Sequence, residues 1–226
     1  MISLKLFYHI FVNPYWQDFT EEKLNRMKLA GLYESFSNII FCIHGESQEF
    51  DLMKNQHIDD QRVQFIMHSD SVAPYHEQYT NRTIKKYIDN ETEKSFILRT
   101  HNKGINHFNS SNWPPNEIIK EEIDHYTIDN WKISVEKLNQ GYDAAGPNWV
   151  KQPWPHFKGN VWWATSDYLK TLTMLPAPHE VGFRQQIQGG GWAIHDAESW
   201  IGTGSPKSWD LLRNTDQIGD HPDLVK

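Results

Sequence analysis

Over its first hundred residues the chain alternates between short apolar runs of strand length and segments whose apolar residues recur at helical spacing, and this restricts the fold more than any other feature. Leu4 to Val12 reads as a strand. A helix follows Asn13-Pro14: Thr20 is placed to cap it, Glu21 and Glu22 suit the positive end of its dipole, Leu24, Met27 and Ala30 recur on one side, and Gly31 stops it. Asn38 to Ile43, stopped by His44-Gly45, and Val63 to His68 are the next strands, with a loop or short helix between them. A helix over Tyr75 to Asp89 turns Thr80, Ile84, Tyr87 and Ile88 to one side, and a fourth strand, Ser95 to Thr100, runs directly into His101-Asn102-Lys103-Gly104. Repetition of this kind predicts an α/β fold, a mainly parallel sheet flanked by helices. Such sheets bind ligands beyond the carboxyl ends of their strands, so the loops after the first, second and fourth strands are the expected site.

The second half is less periodic. Ile119, Ile123, Tyr126 and Trp131 predict one long helix over Asn116 to Leu138, and Gly141-Tyr142-Asp143-Ala144-Ala145-Gly146 a short strand and turn. Phe157 to Ala164 reads as another strand, Ser166 to Leu172 as a short helix capped by its serine, and Gly189-Gly190-Gly191 as a hinge or lid before a helix near Asp196 to Trp200. The polar tail after Trp209 is expected to pack loosely. At 226 residues, without internal repeats, the chain suits a single domain.

Composition narrows the function classes. The net charge of −7, with no basic block, disfavours nucleic acid as a partner. The single cysteine, Cys42, lies in the apolar run Ile39 to Ile43 and reads as a buried, inert thiol. The stretch Met1 to Val12 carries Lys5 in its middle and lacks the marks of a signal peptide, and no apolar run is long enough for a transmembrane segment, so a soluble, cytoplasmic chain is expected. Ten Trp, nine Tyr and eleven Phe accompany twelve His. Aromatic faces stack on sugar rings and bases, and they also fill cores.

Two segments stand out chemically. In His101-Asn102-Lys103-Gly104 the lysine offers a point charge to phosphate, the histidine can donate or ligate, and the glycine lets backbone approach a ligand; the plain alternative is a polar turn. In His156-Phe157-Lys158-Gly159-Asn160-Val161-Trp162-Trp163 the paired tryptophans beside Gly-Asn make either a sugar platform or a core strand.

The order of motifs resembles that of small GT-A-type glycosyltransferases of bacterial polysaccharide loci and large algal viruses. The resemblance runs through Ala30-Gly31-Leu32-Tyr33, Tyr75-His76-Glu77-Gln78-Tyr79-Thr80, His101 to Gly104, Asp143 to Asn148, His156 to Trp163, Tyr168-Leu169 and Glu198-Ser199-Trp200-Ile201. Lys158 and Val161 stand where that group carries Ser and Phe, and Asn102 where Thr or Ser is common. The resemblance implies a Rossmann-related, GT-A-like fold and transfer of a hexose or deoxyhexose from a nucleotide-sugar, a UDP-sugar by default, to a glycan acceptor. Residues 1–110 then form the nucleotide-sugar half, 111–205 the acceptor half and 206–226 the tail. It assigns donor binding to His101, Lys103 and Gly104, sugar contacts to His156, Gly159, Asn160, Trp162 and Trp163, and catalysis to Glu198 or Asp143, with Glu77 and Thr80 as further matches.

Enzymes of this kind usually hold Mn²⁺ or Mg²⁺ on Asp-x-Asp, which this chain lacks. The nearest carboxylate pair is Asp196-Ala197-Glu198, and Asp59-Asp60 and Asp70 read as surface charge. Either His101 holds a cation with a carboxylate, or Lys103 and its neighbours neutralise the diphosphate without metal. The competing reading is a lectin-like glycan-binding module without catalysis.

Overall fold

The computed structural model describes residues 2–45, 50–68, 76–102, 105, 108–111, 113–152, 154–174 and 197–214. Strand β1, Ser3–Phe11, is buried on both faces, which is why it reads as a nearly continuous apolar run. Its parallel neighbours are β2, Phe36–His44, and β4, Ser95–His101, and β2 carries β3, Val63–His68, on its outer side. The chain then returns through β8, Trp162–Thr165, antiparallel to both β4 and β5, Ala144–Gly146, and β9, Ser208–Asp210, closes the edge parallel to β5. The order is β3-β2-β1-β4-β8-β5-β9, the mainly parallel sheet that the alternation predicts. A two-stranded ribbon pairs β6, Trp149–Val150, with β7, His156–Phe157.

Helices cover both faces. On one face α1 (Trp16–Leu29), α2 (Phe50–Gln56), α4 (Trp113–Asp124) and α5 (Trp131–Asn139) pack on Leu6, Tyr8, Ile10, Leu98 and Trp163. On the other, α3 (His76–Asp89) and α6 (Ser166–Thr171) press Ile84, Ile88, Tyr168 and Leu169 onto Phe7, Ile40, Ile97 and Trp162. Among the described residues no helix is long and apolar enough to cross a membrane.

Local expectations fail where distant contacts intervene. Thr20 is no N-cap: α1 starts at Trp16, and the buried Thr20 hydroxyl donates to the Trp16 carbonyl at 2.6 Å while accepting from Asn102 at 3.1 Å. Gly31 does stop the helix, with φ 66°. The single long helix is split by a π-helical turn at His125–Asp129, whose Thr127 carbonyl accepts from the buried Trp163 indole at 3.0 Å. The cap of α6 is Thr165, which accepts from Tyr168 N–H, while Ser166 accepts the Ser95 N–H at 2.9 Å. The tail packs further than expected, since Asp210 lies in the sheet and Leu211 is buried. The Gly189-Gly191 hinge, Asp70 and Asp196 lie outside the described residues.

Candidate functional site

The parallel strands β1 to β4 each place a histidine toward the carboxyl end: His9, His44, His68 and His101. Register sets His101 beside His9 and His68 beside His44, and the alternation of strand side chains puts all four on the α3 face. Ring centroids are 4.7 Å apart for His68 and His44, 4.5 Å for His44 and His9, and 6.3 Å for His9 and His101.

Helix α3 closes over this row. The Thr80 hydroxyl lies 2.9 Å from His9 Nδ1 and 3.0 Å from His44 Nε2, and Thr83 lies 3.2 Å from His68 Nε2. A hydroxyl carries one proton, so at least one of the two rings at Thr80 presents an N–H to it. One turn earlier Glu77 takes the Arg99 guanidinium on Oε2 at 2.7 Å and the Asn160 amide at 2.6 Å, while its Oε1 stands 3.7 Å from His101 Nδ1.

The return into β8 completes the cluster. Gly159 and Asn160 have φ 76° and 52°, a left-handed turn that suits these residue types. Both of its carbonyls are held by β4: His101 Nε2 donates to Gly159 O at 2.7 Å, and Arg99 donates to Asn160 O. Arg99 is fully buried, and Glu77 is its counter-charge away from solvent. Burial alone would raise the proton affinity of Glu77; the charges of His101, Arg99 and His9 and the Asn160 amide outweigh it and hold the carboxyl well below its ordinary 4.5. Burial pushes the Cys42 thiol up to about 12, in keeping with an inert cysteine.

The structure thus brings together His101, Gly159, Asn160, Glu77 and Thr80. Glu198 follows Ala197, whose carbonyl accepts from Asn81 on α3 at 2.8 Å, one turn along from Glu77. Lys103 and Gly104 lie outside the described residues. His156 sits on the ribbon with Nδ1 2.9 Å from the Trp154 carbonyl.

Trp162, Trp163 and Asp143 do not join the cluster either. Trp162 and Trp163 are 0% exposed, one on each face of the sheet, so neither offers a ring face to a sugar and both are core residues. Asp143 stands at the other end of β4, lining a groove with Lys94, Ser95 and Thr165, where it accepts from Lys207 N–H at 2.8 Å. From Ser95 to His101 the strand spans about 20 Å, too far for Asp143 to act with His101.

Sequence reasoning passed over Arg99, His9, His44 and His68. A signal existed: strands of an expected parallel sheet each ended on or near a histidine. Among the described residues no group of three or more His, Cys, Asp or Glu is placed to hold a metal ion, and His101 Nε2 donates to a carbonyl. No protein-family model matches the chain, and no curated protein matches it.

Proposed function

We propose that this protein is a glycosyltransferase of GT-A-like fold that moves a hexose or deoxyhexose from a nucleotide-sugar, in the first instance a UDP-sugar, to a glycan acceptor. The observation that supports this most is the convergence of His101, Arg99, Glu77 and the Gly159-Asn160 turn beside β1 and β4. In the parallel order β3-β2-β1-β4 the topological switch point, beside which open α/β sheets commonly bind ligands, falls between β1 and β4.

Breaking the C1–O bond builds charge on the departing diphosphate, which is best met by donors fixed in advance. His101, with Lys103 and Gly104 after it in sequence, is assigned that task. Glu77 is a poor base because its proton affinity is depressed, so its part is to hold Arg99, His101 and Asn160 in place. The carboxylate assigned to the acceptor hydroxyl is Glu198, whose segment docks on the same helix through Asn81.

Calorimetric titration with a panel of UDP- and GDP-sugars, with and without Mn²⁺, tests the reading. One donor is expected to bind, to weaken at least about tenfold in His101→Ala and in Lys103→Ala, and to bind equally well to Asp143→Asn. Glu198→Gln should keep donor affinity and lose turnover. Strict, restorable Mn²⁺ dependence assigns neutralisation of the diphosphate to a cation, and full binding after exhaustive chelation assigns it to side chains. Failure of folded protein to bind any donor ends the transferase reading in favour of a glycan-binding module.

A further inference from the structure

Strand β3 is the outermost strand on its side of the sheet, and among the described residues no strand pairs with its outer edge. The direction of its backbone groups follows from one bond: Ile39 N–H donates to Arg62 O at 2.9 Å. In an extended strand the N–H and C=O of one residue point to one side and those of the next to the other, so Gln64, Ile66 and His68 address β2. Val63, Phe65 and Met67 therefore turn their backbone groups to the open edge. Among the described residues only the Val63 N–H is spent locally, on Asp60 O at 2.9 Å.

Exposed edges are usually blunted by charge, proline or a bulge. The β3 sequence, Val-Gln-Phe-Ile-Met-His, has no Lys, Arg, Asp, Glu, Pro or Gly, and Met67 is 41% exposed on it. The opposite edge contrasts with it: β9 is three residues long and ends in Asp210, whose carboxylate is tied to the Asn148 and Trp149 N–H groups at 2.9 Å.

We propose that a second copy of this chain adds its own β3 antiparallel across this edge, with Phe65 on the two-fold axis. A two-fold axis normal to the sheet keeps each face on its own side, so residues on the same face of β3 pair with one another. Centred on Phe65, the pairing sets Phe65 against its own copy, Val63 against the copy's Met67, and Gln64 against the copy's Ile66. The row Val63, Phe65 and Met67 shares one face, so the exposed Met67 is covered by an apolar partner.

Phe65 exchanges N–H and C=O with its copy, and each Met67 N–H reaches the other chain's Val63 carbonyl. A shift by two residues leaves Val63 or Met67 facing a residue beyond the strand. With no charged side chain in β3, a like-charge pair within the strand does not arise, and that favours a second copy as the occupant. The contact is small, below about 1,200 Å², which places association in the micromolar range.

Sedimentation velocity from about 5 to about 500 μM brackets that affinity. Wild-type protein is expected to pass from monomer to dimer. Met67→Pro removes an outward N–H without touching the β2 ladder, and Met67→Lys places a charge on the edge; each should weaken the dimer at least about tenfold with thermal unfolding of the monomer unchanged. Should Met67→Pro fail to fold, Met67→Lys decides. A wild-type monomer at every concentration overturns the proposal and leaves the edge to another chain, and a dimer that Met67→Lys leaves intact overturns it in favour of another surface.

Discussion

Replacing Glu77 with alanine is expected to destabilise the fold by about 3–5 kcal/mol, because it leaves the fully buried Arg99 guanidinium without its counter-charge. The loss also frees the Asn160 amide, which donates to the same oxygen at 2.6 Å, so the left-handed turn loses an anchor. Urea unfolding measures the total, and a loss under about 1 kcal/mol would show that Arg99 finds water or another acceptor.

Acid provides an independent check. The folded proton affinity of Glu77 is depressed, so its stabilisation is fully present above the ordinary carboxyl value of 4.5 and is lost as pH falls below it toward the depressed folded value. Other carboxylates titrate in the same window, including Asp60, held down to about 2 mainly by its hydrogen bond from Arg62. The informative quantity is therefore the difference between wild type and Glu77→Gln. That difference should shrink as pH drops through the window; a constant difference would remove Glu77 from the acid response.

The second large effect lies on the opposite face of the sheet. Lys23 on α1 and Asp124 on α4 meet at 2.5 Å with both side chains 1% exposed. Burial lowers the lysine's proton affinity while Asp124 draws it back up. Asp124→Leu is expected to cost about 3–5 kcal/mol, since Lys23 must then stay charged without a partner or shed its proton. Lys23→Met should cost less, because Asp124 keeps Lys120 at 3.6 Å.

The double variant Lys23→Met/Asp124→Leu is expected to recover most of the loss, since an apolar pair of similar volume removes the need to desolvate two charges. Lys120 keeps Glu22 at 2.5 Å and Glu121 at 2.8 Å, so the neighbouring pairs survive. A double variant as unstable as the sum of the singles would mean that Lys23 and Asp124 act independently, with no coupling between them, contrary to this expectation.

How far the sequence reached depends on the range of the contacts involved. The carboxyl edge of the sheet was legible as a candidate site because strand-helix alternation implies parallel strands, and parallel strands place their loops at one end. Within that edge, His101 and Glu77 were reached through motif order, while Arg99 was missed: an arginine inside an apolar strand gives no local sign of a partner 22 residues away. The paired tryptophans carried a double meaning that only burial resolved, since one β-strand sends consecutive side chains to both cores.

What the sequence determined by itself is what neighbours along the chain decide: strands from apolar runs, the stop of α1 from Gly31, and the resulting α/β order. What only the tertiary structure decided is the antiparallel return of β8, which carries the Gly159-Asn160 turn to Arg99, 61 residues earlier, and leaves Asp143 at the far end of the strands. The reason is physical. Local pattern sets which face a residue presents within one element, whereas the meeting of faces from distant elements is settled only when the sheet closes and its buried charges and carbonyls find partners.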